Sequence, residues 1–502
     1  MAAGYGRRMG PFTRMVNKGL VPYKDKPLIS HIIDRFPADT NFVIALGHMG
    51  QQVLDYVGSV HNDKDITFVN IPDYSEGNTG PATTIRHCQD HIRGGFLWLA
   101  CDTLFDFNYQ DRMDHNWIGV CPVDSTIAKD YCWIERNGED VVAIHDKEPS
   151  THAVDAFIGL MYCKDDEYLN NLISRDAKET PEGFAGMEIK AHTVGQWWDF
   201  GTYEKWRELT KDIPENSFTK PDELFYHDNN KVIKYFTNET HVFSRINRAL
   251  ANPKCMPSNI AQAGNFLIHD WAEGDIVYNQ VTPELFSKML DWCDKNIWIK
   301  PAEVDPGAHS KCLDFYFKKT HERLKQFRVK YSDWSECCVV NRKEVDSIDG
   351  YLQRINWGSI CDINEWRFIH GDLHFDNTIY DIATDQFTAI DWRTDFAGGV
   401  YGDIYYDLAK MLGGIWLDYR AVKNGLLDYT ERSDYATISI PSVDQAEKYE
   451  SILRSWVMKK GLEWRKVQLL VPIIYLNMSP LHDPPFDKFL IALAQLHFSK
   501  IW

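Results

Sequence analysis

The sequence predicts an α/β protein with two domains, and three features carry this prediction. The chain has 502 residues, whereas a single hydrophobic core rarely extends past about 250–300 residues. Its first third alternates short apolar runs with helical patterns, which favours a mainly parallel sheet. From about residue 283 the pattern is mostly helical. We therefore place one domain at 1–212 and a second at 218–502, with the polar residues 212–217 as a linker.

The first domain is expected to begin with strands that are separated by helices. In chain order these elements are a strand at Phe42–Leu46, a helix at Gln51–Val60, a strand at Ile66–Val69, a helix at Thr83–Ile92 and a strand at Phe96–Ala100. Ligands of parallel sheets bind beyond the carboxyl ends of the strands. Asp102 follows the last of these strands and is therefore a candidate site residue.

The second domain is expected to open with short strands and to continue with helices. Lys231–Phe236 is its best strand, and helical patterns cover Pro283–Asn296 and Ser310–Phe327. Two strand-like runs interrupt the helical region near residues 368–392, where they flank loops. No internal repeat or low-complexity segment is present.

Composition and charge exclude some classes of function. The formal net charge of −18 argues against a nucleic-acid binder, which needs a basic surface, but it permits nucleotide substrates. The sequence shows no signal-peptide pattern and no apolar run near 18 residues, so we expect no membrane span. The 11 cysteines form no CxxC framework, which favours reduced thiols and a cytoplasmic location.

A glycine-rich loop near the start is typical of anion binding. Gly4 and Gly6 allow the backbone to approach a ligand closely, and successive N–H groups in such a loop cradle an anion. Arg8 and Lys18 would add the fixed positive charge that a triphosphate requires. Pro11 and Thr13 lie between them, which makes the pattern more specific than a lone GxG.

This loop resembles the signature loop of the sugar-phosphate and phosphocholine-type nucleotidyltransferases, which have a Rossmann-like, GT-A-like fold. Further segments occur in the order of that family and extend the resemblance over roughly residues 1–206. They are the turn that contacts the base (Glu76–Ala82), the two metal-binding aspartate segments (Ala100–Asp102 and Trp198–Thr202), the Lys-Pro motif for the acceptor phosphate (Asp146–Pro149) and the strand after it (Phe157–Tyr162).

The resemblance implies a reaction that needs no protein nucleophile, because an acceptor phosphate attacks the α-phosphate of an NTP and pyrophosphate leaves. The protein would align the reactants and neutralise charge. The implied roles are catalytic stabilisation of the triphosphate for Arg8 and Lys18, nucleotide binding for Gly4, Gly6 and Gly80, acceptor-substrate binding for Lys147 and Glu188, and Mg²⁺ binding for Asp102 and Asp199.

Two features depart from the family pattern. The family has a buried strand directly before the glycine loop, whereas only Met1–Ala3 precede Gly4 here. We therefore expect the central strand to be missing from the sheet, with a start internal to a longer reading frame or a fragmentary chain. Asn17 stands where the family often has proline before the lysine.

The strongest motif of the chain is His370–Asn377, which reads HGDLHFDN, with Asp391 fourteen residues after Asn377. This combination resembles the aminoglycoside phosphotransferase and choline kinase family. The resemblance implies a two-lobed protein-kinase-like domain over roughly residues 220–502, with an N-lobe at about 218–270 and a C-lobe at about 271–502.

That family handles ATP by the phosphoryl-transfer scheme. The implied roles are proton acceptor for Asp372, Mg²⁺ binding for Asn377 and Asp391, phosphate binding for Lys234, adenine binding at the hinge for Ile268 and Asp270, and a structural role for Asp407. The acidic partner of Lys234 stays unassigned, because Glu239 lies only five residues beyond it. A metal site on His370 and His374 is the alternative to a first histidine that braces the loop.

Together the two motif sets favour a bifunctional enzyme. ATP would phosphorylate a small alcohol, such as choline, ethanolamine, a polyol or a sugar, and the phosphate would then be coupled to an NTP. CTP is favoured over UTP and GTP, with Mg²⁺ in both sites, and the product would supply a surface polysaccharide or lipid. The alternatives are a small-molecule or aminoglycoside kinase with an inactive N-terminal domain, and a non-catalytic scaffold. A homodimer is left open.

Overall fold

A computed structural model of the chain describes residues 2–72, 80–213, 222–362 and 365–502. Its internal contacts define two compact units. The first comprises Met1–Val242 with Ala261–His269, and the second comprises Phe243–Ile260 with Asp270–Trp502. The domain limits at 212 and 218 stay a prediction, and the motif residues 76–79 and most of the expected linker lie outside the described residues.

The first unit is rich in β-structure. Its strands are β1 (Pro22–Tyr23), β2 (Lys26–Pro27), β3 (Asn41–Leu46), β4 (Asp65–Asn70), β5 (Phe96–Leu99), β6 (Thr103–Asp106), β7 (Trp117–Val123), β8 (Cys132–Asn137), β9 (Asp140–Asp146), β10 (Val154–Cys163), β11 (Lys190–Thr193), β12 (Gln196–Asp199), β13 (Glu223–Asp228), β14 (Lys231–Phe236), β15 (Ala261–Ala263) and β16 (Phe266–Asp270). Its helices are α1 (Leu28–Ile33), α2 (Gly50–Val60), α3 (Pro81–His87), α4 (Glu167–Ser174) and α5 (Tyr203–Thr210).

The sheets of this unit are less parallel than the sequence predicts. β3 and β4 pair in parallel, as the alternating pattern indicates. In the larger sheet, however, the order is β5-β10-β7-β11-β9-β8, and only β7 and β11 are parallel there. The expectation of a mainly parallel sheet is therefore wrong, because β8 and β9 form a hairpin and the long strand β10 runs antiparallel to both β5 and β7.

The start of the chain lies against the end of β3. Ala2 forms a parallel bridge with Leu46, and its N–H donates to the carbonyl of Ala45 over 3.1 Å. The N–H of His48 in turn donates to the carbonyl of Ala3 over 3.0 Å. The glycine loop therefore begins from a backbone position that the parallel pairing holds.

A separate four-stranded sheet, in the order β13-β14-β16-β15, shares a core with α2. The α2 residues Val53, Tyr56 and Val57 are fully buried in the same apolar cluster as Tyr226 and Ile233. Polar contacts reinforce this packing, since the Tyr56 hydroxyl donates to Asp228 over 2.9 Å. The periodic apolar positions of α2 thus face the first strands of the C-terminal half.

The second unit is mostly helical. Its helices are α6 (Glu239–Ala251), α7 (Val277–Gln280), α8 (Pro283–Asn296), α9 (Ala308–Cys312), α10 (Lys319–Lys330), α11 (Ile348–Gln353), α12 (Trp357–Ile360), α13 (Ile404–Trp416), α14 (Tyr419–Lys423), α15 (Ala446–Lys459), α16 (Trp464–Met478) and α17 (Phe486–Ile501). Its short strands are β17 (Asp275–Ile276), β18 (Val339–Val340), β19 (Lys343–Glu344), β20 (Trp366–Phe368), β21 (Thr378–Asp381), β22 (Gln386–Ala389), β23 (Tyr401–Asp403), β24 (Asp428–Arg432) and β25 (Tyr435–Ser439).

Two predicted helices of this unit are confirmed. α8 begins at Pro283, where the Thr282 hydroxyl caps the N–H of Leu285 over 3.1 Å, as the Thr-Pro start indicates. The Ser310–Phe327 pattern is helical throughout, but a π-helical turn at Leu313–Lys318 joins α9 to α10. None of the described helices has the length and apolar content that crossing a membrane requires.

Candidate active sites

The glycine loop closes on itself through Thr13. Gly6 has a φ of 62°, and the Thr13 hydroxyl donates to its carbonyl over 3.0 Å. A Cβ on Gly6 would lie only 2.8 Å from Thr13 Cγ2 and 3.1 Å from Lys18 Cβ, whereas one on Gly4 would meet open space. Residue 6 therefore needs glycine for its conformation and its close contacts, and the backbone at Gly4 is accessible to a ligand.

Gly6→Ala is expected to weaken NTP binding at this loop by at least about tenfold, or about 1.4 kcal/mol, because the added methyl group would clash with Thr13 and Lys18 and displace the loop. Gly10→Ala is the matched control, since Gly10 has a φ of 55° but no atom within 4 Å of its Cβ position. Isothermal titration with CTP, UTP and GTP compares them. Equal affinities for the two variants would contradict the importance of the close approach.

Asn17 anchors the residue that follows it. Its side chain is buried and donates to the carbonyls of Ala2 over 2.8 Å and His48 over 2.6 Å. Its carbonyl oxygen accepts from the N–H of Gly19 over 2.8 Å and caps the turn that carries Lys18. Asparagine stands here where the family often has proline, and its hydrogen bonds hold the loop against the end of β3.

Lys18 and Asp102 form an ion pair, with side chains 14% and 19% exposed. Burial favours the neutral acid, but Lys18 and, at longer range, Arg8 hold the pKa of Asp102 below its usual value. The structure therefore brings Lys18 and Asp102 together and places Arg8 within electrostatic range.

Asp199 joins this pair at the end of β12. The strands β12 and β6 are antiparallel, so that Asp199 lies opposite Thr103, and the N–H of Phe200 donates to the carbonyl of Asp102 over 2.9 Å. One carboxylate oxygen of Asp199 accepts from the N–H of Gly201 over 2.7 Å. The other accepts from Lys205 over 2.6 Å and from Tyr131 over 2.7 Å.

Lys205 and Tyr131 are site residues that the sequence reasoning missed. Burial and the Asp199 carboxylate raise the pKa of Tyr131, which keeps its hydroxyl protonated as a donor. The position of Lys205 six residues after Asp199, on α5, was the available signal. Tyr131 lies 68 residues away from Asp199 in sequence, so that only the folded sheet brings it there.

The two carboxylates suit a hard divalent cation. A Cβ placed on Gly201 would lie 2.8 Å from Asp199 Oδ1 and 3.7 Å from Asp102 Oδ2, so both carboxylates lie next to this glycine. Among the described residues no three His, Cys, Asp or Glu side chains form a metal site. Mg²⁺ is commonly held by one or two carboxylates, with substrate phosphates and water as its other ligands. Asp102 and Asp199 therefore fit Mg²⁺ that arrives with a nucleotide.

Lys147 and Glu188 are both assigned to the acceptor substrate, and this shared role stays a prediction. The N–H of Lys147 donates to the carbonyl of Tyr131 over 3.0 Å, which places Lys147 just after β9 and near the Asp199 cluster. Glu188 instead precedes β11, where Lys190 pairs with Asp140 at the start of β9. Because β9 and β11 are antiparallel, Glu188 lies alongside the first half of β9, whereas Lys147 follows the last residue of that strand.

Residue 80 must be glycine because a Cβ there would lie 2.1 Å from the carbonyl oxygen of Lys178. It precedes α3, which begins at Pro81. Its predicted role toward the nucleotide base stays a prediction.

The second site is built around the turn His370–Asp372, which follows β20. The N–H groups of His370 and Gly371 donate to the two carboxylate oxygens of Asp407 over 2.7 and 2.6 Å. Trp298 adds a third donor to Asp407 over 3.0 Å. Burial, offset only in part by these donors, raises the pKa of Asp407 to about 6. Asp407 thus has the structural role that the sequence indicates.

His370 braces the same turn and is not available to a metal. Its Nδ1 accepts from the N–H of Asp372 over 3.1 Å, and its Nε2 donates to the carbonyl of Ile390 over 2.8 Å. Both ring nitrogens are therefore used, which argues against the metal site on His370 and His374. Through Ile390 the imidazole also connects the turn to the residue before Asp391.

This brace predicts a pH dependence of stability. Burial lowers the pKa of His370 to about 3, so the unfolded chain takes up a proton below pH 6.5 that the folded chain does not. Stability is therefore lost as the pH falls from about 6.5 toward 3, by up to about 1.4 kcal/mol per pH unit. Urea denaturation between pH 7.5 and 4.5 should show a smaller slope for His370→Gln. The exposed His321→Gln control should keep the wild-type slope.

Asp372 points its carboxylate at a lysine on α13. Its Oδ1 lies 2.7 Å from Lys410 Nζ. Burial favours the neutral acid, but Lys410 and His374 hold the pKa of Asp372 well below its usual range. Asp372 is thus a carboxylate at neutral pH, with more than a third of its side chain exposed to a substrate. Lys410 is a site residue that the motif did not reveal.

The predicted metal ligands of this site lie at one end of a hairpin. The strands β21 and β22 are antiparallel, with Thr378 opposite Ala389, and the N–H of Ile390 donates to the carbonyl of Asn377 over 3.0 Å. Asn377 and Asp391 flank these paired strands. The Asn377 amide donates to the carbonyl of Asp372 over 2.8 Å. The amide oxygen of Asn377 and the carboxylate of Asp391, at one end of this hairpin, are of the ligand types that Mg²⁺ on a nucleotide phosphate takes.

A buried arginine on α6 also supports the second site. Arg248 is fully buried and donates to the carbonyls of Arg393 over 2.6 Å, and of Ile369 and Val400 over 3.1 Å each. These carbonyls belong to the segments around the His370 turn and after Asp391. No motif marks Arg248, so that sequence reasoning missed it.

The remaining predicted nucleotide residues lie on one sheet. Lys234 is on β14 and Ile268 and Asp270 are on β16, and these strands are neighbours. The Lys234 ammonium is 5.9 Å from the ring centre of Phe225. Glu239 accepts a hydrogen bond from Gln262 over 3.2 Å. The roles of Lys234, Ile268 and Asp270 toward ATP stay predictions.

Each unit thus contains a carboxylate paired with a lysine, Asp102 with Lys18 and Asp372 with Lys410, and both clusters can be compared with known protein families. Residues 1–159 match the family model of the MobA-like NTP transferase domain. Residues 363–438 match the model of the phosphotransferase enzyme family. The chain therefore contains a domain of each of these two transferase families.

Relatives resemble the N-terminal region. The bifunctional protein GlmU of Methanococcus vannielii is 24% identical over 127 residues, which are 25% of this chain and 29% of that protein. The UTP–glucose-1-phosphate uridylyltransferase AglF of Haloferax volcanii is 25% identical over 113 residues, which are 22% of this chain and 45% of that protein. The chain thus spans less than half the length of these relatives.

Solved structures also align with the chain. A UDP-glucose pyrophosphorylase in complex with UDP-glucose aligns with a TM-score of 0.36 and 18% identity over 42% of this chain and 95% of that chain. The CTP:phosphocholine cytidylyltransferase of Streptococcus pneumoniae aligns with a TM-score of 0.35 and 13% identity over 42% of this chain and 96% of that chain.

Proposed function

We propose that the chain is a bifunctional enzyme that phosphorylates a small alcohol with ATP and then couples the phosphate to an NTP. The observation that carries this proposal is that each unit contains a carboxylate paired with a lysine, Asp102 with Lys18 and Asp372 with Lys410. In each unit, residues that could bind Mg²⁺ belong to the same site. A kinase produces a phosphate monoester, and a nucleotidyltransferase consumes one. Two such sites in one chain therefore favour consecutive reactions.

In the second site, Asp372 orients the attacking hydroxyl and accepts its proton. Asn377 and Asp391 would hold Mg²⁺, which supplies charge neutralisation on the ATP phosphates. The hydroxyl oxygen bonds to the γ-phosphorus, the bond to the bridging oxygen breaks, and ADP leaves. Asp407, His370 and Arg248 hold the turn in place for this step.

In the first site, the loop from Gly4 to Lys18 binds the triphosphate, and Asp102 and Asp199 would hold Mg²⁺. Lys18 and Arg8 stabilise the charge on the leaving pyrophosphate, and Lys147 holds the incoming phosphate. The product is a nucleoside diphosphate conjugate. CTP is the favoured nucleotide, and a cytoplasmic supply of precursor for a surface polysaccharide or lipid is the proposed role.

The test is to incubate the full chain with Mg²⁺, ATP, equal CTP, UTP and GTP, and a pool of small alcohols, and to identify products by mass spectrometry. A nucleoside diphosphate conjugate that requires ATP supports the proposal and identifies base and alcohol. A phosphate monoester without a conjugate would leave a kinase alone. No product, with an aminoglycoside panel also unmodified, would contradict both activities and favour a scaffold.

A further inference from the structure

The second site carries a cluster of four cations, and the phosphoryl-transfer reaction described above involves only one of them, Lys410, through its contact with Asp372. The cluster consists of Lys319, Arg323, Arg393 and Lys410. Lys319 Nζ lies 4.2 Å and Arg393 Cζ 5.0 Å from the ring centre of Phe315. Both cations therefore gather at one ring, and Arg323 follows Lys319 by one turn of α10.

The cluster adjoins the proton acceptor. A Cβ on Gly371 would lie 2.6 Å from Arg393 Cβ, so that the side chain of Arg393 packs directly against the residue before Asp372. Lys410 contacts Asp372 itself over 2.7 Å. Lys319 interacts electrostatically with Arg393, Arg323 and Lys410. An acceptor that is held near Asp372 would thus be within reach of these positive charges.

Lys410 is paired with Asp372, but the nearby acids do not neutralise the other three cations of the cluster. Asp395, which is the acid near Lys319, uses its carboxylate to accept from the N–H of Gly398 over 2.8 Å and from Thr394. Arg393 Nε donates to the backbone carbonyl of Asp395 over 3.0 Å. Arg323 donates to Gln326 over 3.0 Å. Within the described part of the chain, Lys319 and Arg323 form no salt bridge.

Cations that lie this close repel one another, and a bound anion would offset that repulsion. Burial, together with Arg393, Arg323 and Lys410, lowers the pKa of Lys319 to about 7. The residues just before it form the π-helical turn Leu313–Lys318, and π-turns occur frequently at functional sites. Like charges that are brought together without a counter-ion favour an anionic ligand.

We propose that Lys319, Arg323 and Arg393 bind an oxyanion of the acceptor, so that the substrate of the second site is an alcohol that also bears a carboxylate or phosphate. This inference rests on the proposed kinase function and specifies its substrate class. It replaces the amine and neutral alcohols of the sequence interpretation. The hydroxyl oxygen attacks the γ-phosphorus of ATP, ADP leaves, and the proton passes to Asp372, while the oxyanion stays with the cations.

Chemical labelling tests the subsite without catalysis. The full chain is acetylated at pH 7.5 with limiting acetic anhydride, and Lys319 and the adjacent Lys318 are compared by peptide mass spectrometry. Glycerate and glycerol 3-phosphate are the anionic probes, and glycerol and ethanolamine are the neutral and cationic ones. Either anionic probe should protect Lys319 at least threefold, with Lys318 unchanged. The more effective probe distinguishes a carboxylate from a phosphate.

Two labelling results would overturn the inference. One is equal modification of Lys319 with all four probes. The other is full protection by Mg²⁺ and a non-hydrolysable ATP analogue alone, which would assign the cations to the nucleotide.

A kinetic arm tests the same subsite through ADP formation. Each charge-assisted contact of this type corresponds to about 10- to 100-fold, so Lys319→Met should raise KM for an anionic acceptor by that factor with a smaller effect on kcat. Lys319→Arg should restore much of the loss, and Lys318→Met is the matched control. Efficient turnover of glycerol or ethanolamine would overturn the inference. Protection without ADP formation would instead count against the proposed function alone.

Discussion

Asp372→Asn is expected to lower ATP-dependent phosphorylation by at least about 10³-fold, within the range that a positioned proton acceptor contributes. The amide preserves the size of the side chain but removes the charge that faces Lys410 over 2.7 Å. The amide cannot accept the hydroxyl proton, and it leaves the largely buried ammonium of Lys410, whose side chain is 12% exposed, without its carboxylate partner. A coupled ADP assay with the acceptor that mass spectrometry identifies measures the effect.

Two controls separate this loss from misfolding. Asp428→Asn makes the same change at the exposed first residue of β24 and should leave the rate unchanged. Nucleotidyl transfer by Asp372→Asn from a supplied phosphate monoester should match the wild type. A phosphorylation rate within tenfold of the wild type would exclude Asp372 as the proton acceptor.

Asp102→Asn and Asp199→Asn are each expected to lower nucleotidyl transfer by at least about 10³-fold, which is comparable to the loss of a preorganised electrostatic group. Each change removes one of the two carboxylates next to Gly201 that would hold Mg²⁺. Each also removes the anionic partner of a lysine, Lys18 or Lys205. Pyrophosphate release, followed as a function of Mg²⁺ concentration, measures the effect.

The Mg²⁺ dependence makes this prediction specific. The variants should need a higher Mg²⁺ concentration for half-maximal rate, whereas Asp106→Asn, on the exposed end of β6, should behave as the wild type. Phosphorylation at the second site should be unaffected. An unchanged Mg²⁺ requirement, together with a normal rate, would rule out a metal between these two carboxylates.

Much of the secondary structure was predictable because it follows local rules. The apolar run at Phe42–Leu46 lies within β3, and the pattern at Pro283–Asn296 is α8, since both depend on side-chain periodicity and on capping residues. The direction of strand pairing does not depend on such rules. The first sheet was expected to be mainly parallel, yet β10 pairs antiparallel with β5 and β7.

In the candidate sites, too, the sequence identified residues that lie in motifs but not the partners that folding brings to them. Lys18, Asp102 and Asp199 were assigned from motifs, and the structure brings them together. Glu188 was assigned together with Lys147, and their shared role toward the acceptor stays a prediction. Tyr131 and Lys410 had no motif of their own. Their contacts with Asp199 and Asp372 depend on the packing of elements that are distant in sequence.

The sequence by itself determined that this chain carries a nucleotidyltransferase-type loop followed by a phosphotransferase-type HGDxHxxN motif, and it determined the order of both. Only the tertiary structure decided which charges meet around those motifs, including the Lys410 contact with Asp372 and the cations of Lys319, Arg323 and Arg393. The physical reason is the separation in sequence between the residues that interact. Turns, caps and periodicity are encoded within a few residues, whereas electrostatic environment is set by side chains from α10 and α13 that packing brings to one place.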